Sequence, residues 1–214
     1  MIHLKTVDPE LMRILRLLMS EPLFGNFRLV GGTALSLQIG HRKSIDIDLF
    51  SDTDYGAIDF ELIKSYLKSN FDYCDFVTAD NVAFGQSFFI GRDEESSVKL
   101  DLFYTEKFCF DSIIADNIRM ASLQEIAAMK LDVVLRGARK KDFWDVHALL
   151  NTFSLEEMIA FHQKRYKELH DRESIKHNLI KFELAEEDFD PDCLRGNYWE
   201  FIKEDIWEAQ KLLG

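Results

Sequence analysis

Hydrophobic residues along this chain repeat with two different periods, and the switch between them divides it. Leu11, Ile14, Leu15 and Leu18 recur at helical spacing after Asp8-Pro9-Glu10 and stop at Glu21-Pro22. A capping aspartate, a proline in the first turn and an acid at the positive end predict a helix there. Residues 27–30 read as a strand, Gly31-Gly32 as a turn, and residues 33–39 as a short helix that Thr33 opens and Gly40 closes. The chain returns as a strand over 45–50, where a period of two sets Asp46 and Asp48 on one face and Ile45, Ile47 and Leu49 on the other. Residues 59–68 read as an amphipathic helix carrying Phe60, Ile63 and Leu67 on one side. Strand-like runs follow over 71–78, 82–90 and 98–104, the last two joined by a polar turn. Beyond about residue 115 the period is helical, with starts near Ser122, Asp142, Ser154, Glu173 and Tyr198. No internal repeat or linker is visible. The pattern predicts an α+β chain, with a strand-rich core over 1–115 and a helical subdomain over 116–214.

The polar residues at the first strand-helix-strand unit carry the chemistry. Glycines let a backbone approach a ligand closely, and the unpaired amides of a helix start favour an anion, typically a phosphate. Each half of the motif is weak alone, because Gly-Gly after a strand is more often only a turn and D-x-D arises easily in an acidic chain. Together, Gly31-Gly32-Thr33 and Asp46-Ile47-Asp48 describe a cradle for a metal-bound nucleoside triphosphate. The order strand, GG-T, helix, strand with D-x-D resembles the core of the nucleotidyltransferase superfamily, which includes the polymerase beta-like enzymes.

Further along, Lys99, Asp101 and Phe103 share one face of the 98–104 strand. If that strand lies beside the Asp46 strand, Asp101 joins the two acids, and three close carboxylates repel unless a cation sits between them. Two Mg²⁺ ions would then hold the attacking and leaving oxygens of an in-line displacement. Lys130 falls in the middle of an apolar helix face formed by Leu123, Ile126, Ala127, Val133 and Val134. It must either snorkel or pair with a buried anion, for which a triphosphate or an aspartate is suitable. Arg136, Arg139, Lys140 and Lys141 surround Gly137, either as a basic helix end or as a patch for nucleotide phosphates or an RNA terminus. Asp142 reads as the N-cap of the next helix, which leaves Asp145 as the better candidate for chemistry.

Composition narrows the classes. An apolar content of 47% with 18 Phe marks a globular chain with a substantial core. The net charge of −12 argues against a nonspecific nucleic-acid coat but leaves room for a local basic patch. Six acids between Glu183 and Asp192, with no basic residue among them, read as a solvated acidic loop. Cys74, Cys109 and Cys193 form no C-x-x-C pair, as expected of thiols in a reducing compartment. No apolar run approaches a membrane span, and Arg13 and Arg16 interrupt the first helix, so the expectation is a cytoplasmic protein.

With these residues assembled, the chain resembles the AbiEii/AbiGii family of toxin nucleotidyltransferases, also called MenT-like toxins. The resemblance rests on G-G-T, on H-R-K-S-I-D-I-D-L-F from His41 to Phe50, on Lys130 followed by Arg136, and on K-D-F-W-D-V from Lys141 to Val146. It implies a nucleotidyltransferase sheet packed on a C-terminal helical bundle. It also implies a toxin of a toxin–antitoxin or abortive-infection system, neutralised by a cognate antitoxin, that moves a nucleotide from an NTP to an acceptor such as the 3′ end of tRNA. By motif, Asp46 and Asp48 match the family's metal acids, Lys130 its lysine and Asp145 its late aspartate. The expected site is therefore Asp46, Asp48, Lys130 and Asp145 for catalysis, with Asp101 as a third metal ligand from strand pattern. Gly31, Gly32, Thr33, Arg42, Ser44 and Lys130 are expected to hold the nucleotide. A nucleotidyltransferase acting on a small molecule, and a binding module that transfers nothing, are the alternatives.

Overall fold

Alternation in two separate stretches of the chain produces the two parallel strands at the centre of the sheet. The computed structural model describes residues 2–76, 84–167 and 171–213. In the first half the elements are α1 (Pro9–Ser20), β1 (Arg28–Leu29), α2 (Gly31–Ile39), β2 (Asp46–Ser51), α3 (Phe60–Asn70), β3 (Tyr73–Phe76), β4 (Gly85–Gly91) and β5 (Val98–Tyr104). A hairpin of β6 (Ile113–Ala115) and β7 (Ile118–Met120) follows. The rest is helical: α4 (Leu123–Leu135), α5 (Lys140–Leu149), α6 (Leu155–Arg165), α7 (Arg172–Leu179) and α8 (Trp199–Lys211). Among the described residues the strands form one mixed sheet in the order β3-β4-β5-β2-β1-β7-β6.

The register of β2 on β5 decides what the sheet can do. The two strands run parallel, with Asp46 beside Lys99 and Asp48 beside Asp101. Ile47, Leu49, Leu100 and Leu102, on the other face, are fully buried in the core. Helix α1 packs against β2 and β7, and α4 packs against α2, α5, α6 and α7. Residues of α4 thereby stand over the acidic face of β2 while its remaining sides join the helical half.

Several local expectations change. Helix α2 begins at Gly31 with Val30 at its cap, so Thr33 lies within its first turn and does not open it. Ile45 lies outside β2 and is 73% exposed. Helix α5 begins at Lys140, with Arg139 at the cap and Asp142 one turn inside, where its carboxylate accepts from the Arg139 amide. The hairpin β6–β7 was not expected, because its strands are too short to show a period. Its turn is built on Asp116 and Asn117, both with positive φ, and β7 pairs with β1. Part of the expected strands over 71–78 and 82–90 falls on residues 77–83, outside the described residues.

The acidic segment is exposed as expected, with Asp188 half-buried, and is also fastened to the body. Lys140 pairs with Asp190, and its backbone amide donates to Asp188. Lys43 pairs with Asp192, and a β-bridge joins Arg42 to Cys193. Glu186 accepts from the indole of Trp199, whose ring stacks on Trp144 at 5.8 Å. This strap backs the stretch of chain that carries Arg42.

Candidate active site

The two glycines sit where side chains from distant segments come close to the backbone. Gly31 has φ +66°, and a Cβ there would lie 2.5 Å from Asp48 Oδ2. A Cβ on Gly32 would collide with Arg42 Nη2. The left-handed backbone at Gly31 favours glycine, and a side chain at Gly32 would have to displace the Arg42 guanidinium. Behind them, the Thr33 hydroxyl donates to the Asp46 carbonyl and lies 2.8 Å from Ser44 Oγ. Thr33 thus fastens the start of α2 to the start of β2, which aims the free amides of the helix along the acidic face.

A cavity of about 550 Å³ opens between this helix start, the acidic face and α4. Gly31, Gly32, Arg42, Ser44, Asp46 and Asp48 line it. Asp101 and Lys130 complete the set brought together from the sequence. Thr33 and Asp145 are not in its wall; both are fully buried behind it. Asp142 does line the cavity.

The acids repel one another as their register requires. Burial pushes the Asp48 carboxyl up to about 6, and the charges of Asp101 and Asp46 add to the shift, against a smaller pull from Lys130 and Lys141. Asp101 accepts from Ser87 Oγ at 2.6 Å and pairs with Lys99 at 2.5 Å. Lys141 stands 3.6 Å from Asp46. Among the described residues no group of three or more His, Cys, Asp or Glu side chains is arranged to hold a metal ion by itself. Asp46 and Asp48 nonetheless fit magnesium. They are hard oxygen donors in a self-repelling pair beside a helix start, and Mg²⁺ is commonly held by one or two carboxylates plus substrate phosphates.

A buried ionic network supports the cationic wall. Arg42 donates to Asp145 through Nε and Nη2, at 2.7 and 2.9 Å. Lys130 Nζ reaches Asp145 at 2.6 Å and Asp142 at 2.7 Å. His41 Nε2 lies 2.7 Å from the Asp145 carboxylate. Burial alone would raise the Asp145 pKa, but Lys130 and Arg42 hold it well below the usual carboxylate range. Burial holds the His41 imidazole below its ordinary value, so the neutral ring donates from Nε2. For Lys130, burial opposes charge, and Asp145 and Asp142 outweigh it, so the ammonium persists. The lysine on the apolar helix face thus takes the aspartate partner and does not snorkel. Asp145, with both oxygens occupied and no exposure, orients Arg42 and Lys130.

Sequence reasoning assigned no role to Lys99 or His41, and named Arg139 and Lys141 only as members of a four-cation patch. Lys99 lies two positions from Asp101 on the same strand face, which was a usable signal. Of the four cations around Gly137, Arg139 and Lys141 line the cavity, whereas Arg136 pairs with Asp132 and Lys140 with the acidic strap. The local basic patch therefore exists within a chain of net charge −12. Among the described residues no helix is long and apolar enough to cross a membrane.

The fold and this site define a class. The structure superposes on MenT4, a nucleotidyltransferase toxin from Mycobacterium tuberculosis H37Rv, with a TM-score of 0.62 at 15% identity, covering 94% of this chain and 81% of that one. JHP933 from Helicobacter pylori gives a TM-score of 0.55 at 16% identity, covering 94% and 88%. A protein of Aquifex aeolicus (strain VF5), aq_aa25, described as uncharacterized, is 25% identical over 206 residues, 94% of each chain. The family model described as "Nucleotidyl transferase AbiEii toxin, Type IV TA system" matches residues 13–211, and the chain belongs to that family of nucleotidyltransferases.

Proposed function

We propose that this protein transfers a nucleoside monophosphate from an NTP to a hydroxyl of an RNA acceptor, with Mg²⁺, as a toxin restrained by a cognate antitoxin. The observation that carries the reading is the double close approach of Asp48 to Gly31 and of Arg42 to Gly32. It sets a carboxylate and a guanidinium against the first turn of α2, where the triphosphate would lie. The free amides of α2 hold the outer phosphates, with Ser44 and Arg42 beside them. Lys130, Lys141 and Arg139 offset the charge of the phosphates from the facing wall. Asp46 and Asp48 would hold magnesium, which supplies charge neutralisation at the α-phosphate when bound.

The acceptor oxygen forms a new bond to the α-phosphorus, and the bond from that phosphorus to the bridging oxygen breaks. Pyrophosphate leaves with the bonding electron pair, and the proton of the hydroxyl passes to a carboxylate of the acidic face. Asp145 acts at one remove by fixing Arg42 and Lys130, so positioning supplies most of the rate. Incubation with α-³²P-labelled NTPs, Mg²⁺ and total RNA tests the reading. Labelled RNA from the wild type and none from Asp46→Ala is expected, and equal labelling by both would overturn it. Growth arrest on induction of the wild type, absent with Asp48→Ala, is the corresponding expectation for a toxin.

A further inference from the structure

A second cavity, of about 790 Å³, continues from the first and shares Phe50, Met129 and Val133 with it. On β2 the series Asp46, Asp48, Phe50 keeps to one face, so the new groove begins one side-chain step beyond the acids. Its sheet side is aromatic: Phe50, Tyr55, Phe84 and Tyr104, with Tyr166 opposite. Tyr55 and Phe84 are 68% and 71% exposed, their ring centres 6.0 Å apart, and Tyr55 lies 5.4 Å from Tyr104. The Tyr104 hydroxyl accepts from the amides of Gly56 and Ile58, at 3.0 and 2.8 Å, which fixes that ring as a base for the others. Asp132 and Arg136 in the groove pair with each other, and Glu106 adds one further acid to its lining.

We infer that this groove is the acceptor subsite, and that it takes an unpaired nucleobase at the end of a polynucleotide by stacking on Tyr55 and Phe84. The inference rests on the proposed reaction for its direction, because a group transfer needs a second substrate beside the α-phosphorus. Each cavity by itself lies within the usual size of a small-ligand site, so the donor in the first leaves the second open. Exposed rings on a rigid base suit flat nucleobases of any sequence.

The test is binding of a fluorescein-labelled single-stranded RNA oligonucleotide to the full chain, followed by anisotropy without NTP. Tyr55→Ala and Phe84→Ala are each expected to weaken binding about 5- to 150-fold, and Tyr55→Trp to retain it. Both substitutions lie on exposed rings, and an unchanged melting curve would show that folding is intact. Wild-type affinity in both alanine variants, or no binding by the wild type, would overturn the inference. A loss that appears in NTP affinity and spares RNA would also overturn it, by giving the rings to the donor base. RNA binding that depends on Tyr55 without transfer of label would instead count against the proposed reaction and leave the subsite standing.

Discussion

Replacing Asp48 by asparagine is expected to stabilise the metal-free protein while abolishing its activity. Burial and the neighbouring charges of Asp101 and Asp46 hold the native carboxyl at about 6 against an ordinary value of 3.8. Below 3.8 the carboxyl is protonated whether the chain is folded or not, and Asp48 costs nothing by this route. Between 3.8 and about 6 the unfolded chain gives up its proton while the native carboxyl keeps it, so the cost grows across that window and is complete above about 6. The distance from 3.8 to about 6 corresponds to about 3 kcal/mol of destabilisation above that range, as an upper bound. D48N keeps the shape and removes the charge, so a gain of about 1–3 kcal/mol is expected near neutral pH in EDTA. For a chain of this length that is about 2–12 °C in Tm. Calorimetry or urea unfolding across pH reads the effect directly, and the gain should vanish at about pH 4. It should also shrink when Mg²⁺ is added with a nonhydrolysable NTP, because the ligands stabilise only the wild type. A D48N protein equally or less stable at neutral pH, or a difference that does not change with pH, would refute the electrostatic reading of this cluster.

Other perturbations separate the remaining parts of the site. Asp145→Ala leaves Arg42 and Lys130 without their shared carboxylate and is expected to cost about 3–5 kcal/mol, seen as a lowered urea midpoint. The stability that the ionised Asp145 contributes is present above its unfolded pKa and lost as pH falls through its depressed native value, so Asp145→Asn should flatten the acid limb of the stability profile. Gly31→Ala forces a side chain into a left-handed position against Asp48, and is expected to cost about 1–2 kcal/mol with loss of NTP-induced thermal stabilisation. Lys130→Met, similar in length, should lower kcat for nucleotide transfer by about 10- to 1000-fold while the protein remains folded by circular dichroism.

The strand pattern made much of this arrangement legible before any coordinates. Alternation in β2 and β5 places Asp46, Asp48 and Asp101 on one face once the strands are adjacent, and the structure supplies that adjacency. The lysine on the apolar face of α4 posed a choice between snorkelling and a buried anion, which the structure decides for Asp145 and Asp142. Asp145 was expected to do chemistry, but it lies outside the cavity wall, and its setting was not legible, since His41, Arg42 and Lys130 reach it from two other elements. Local rules failed where tertiary contacts set the outcome. Thr33 has the residue type of a cap, yet its hydroxyl is taken by Asp46 and Ser44. The acidic strap is exposed as it reads, but its fastening was not legible because Lys43, Lys140 and Lys203, which hold it, lie elsewhere in the chain. The β6–β7 hairpin left only its Asp-Asn turn as a trace.

A crystal structure of the wild type with Mg²⁺ and an α,β-methylene NTP analogue would show where the triphosphate lies. The account predicts the outer phosphates on the amides of Gly32 and Thr33, and a metal ion between the α-phosphate and the carboxylates of Asp46 and Asp48. A nucleotide bound elsewhere, or bound here with Asp46 and Asp48 turned away from its phosphates, would contradict it.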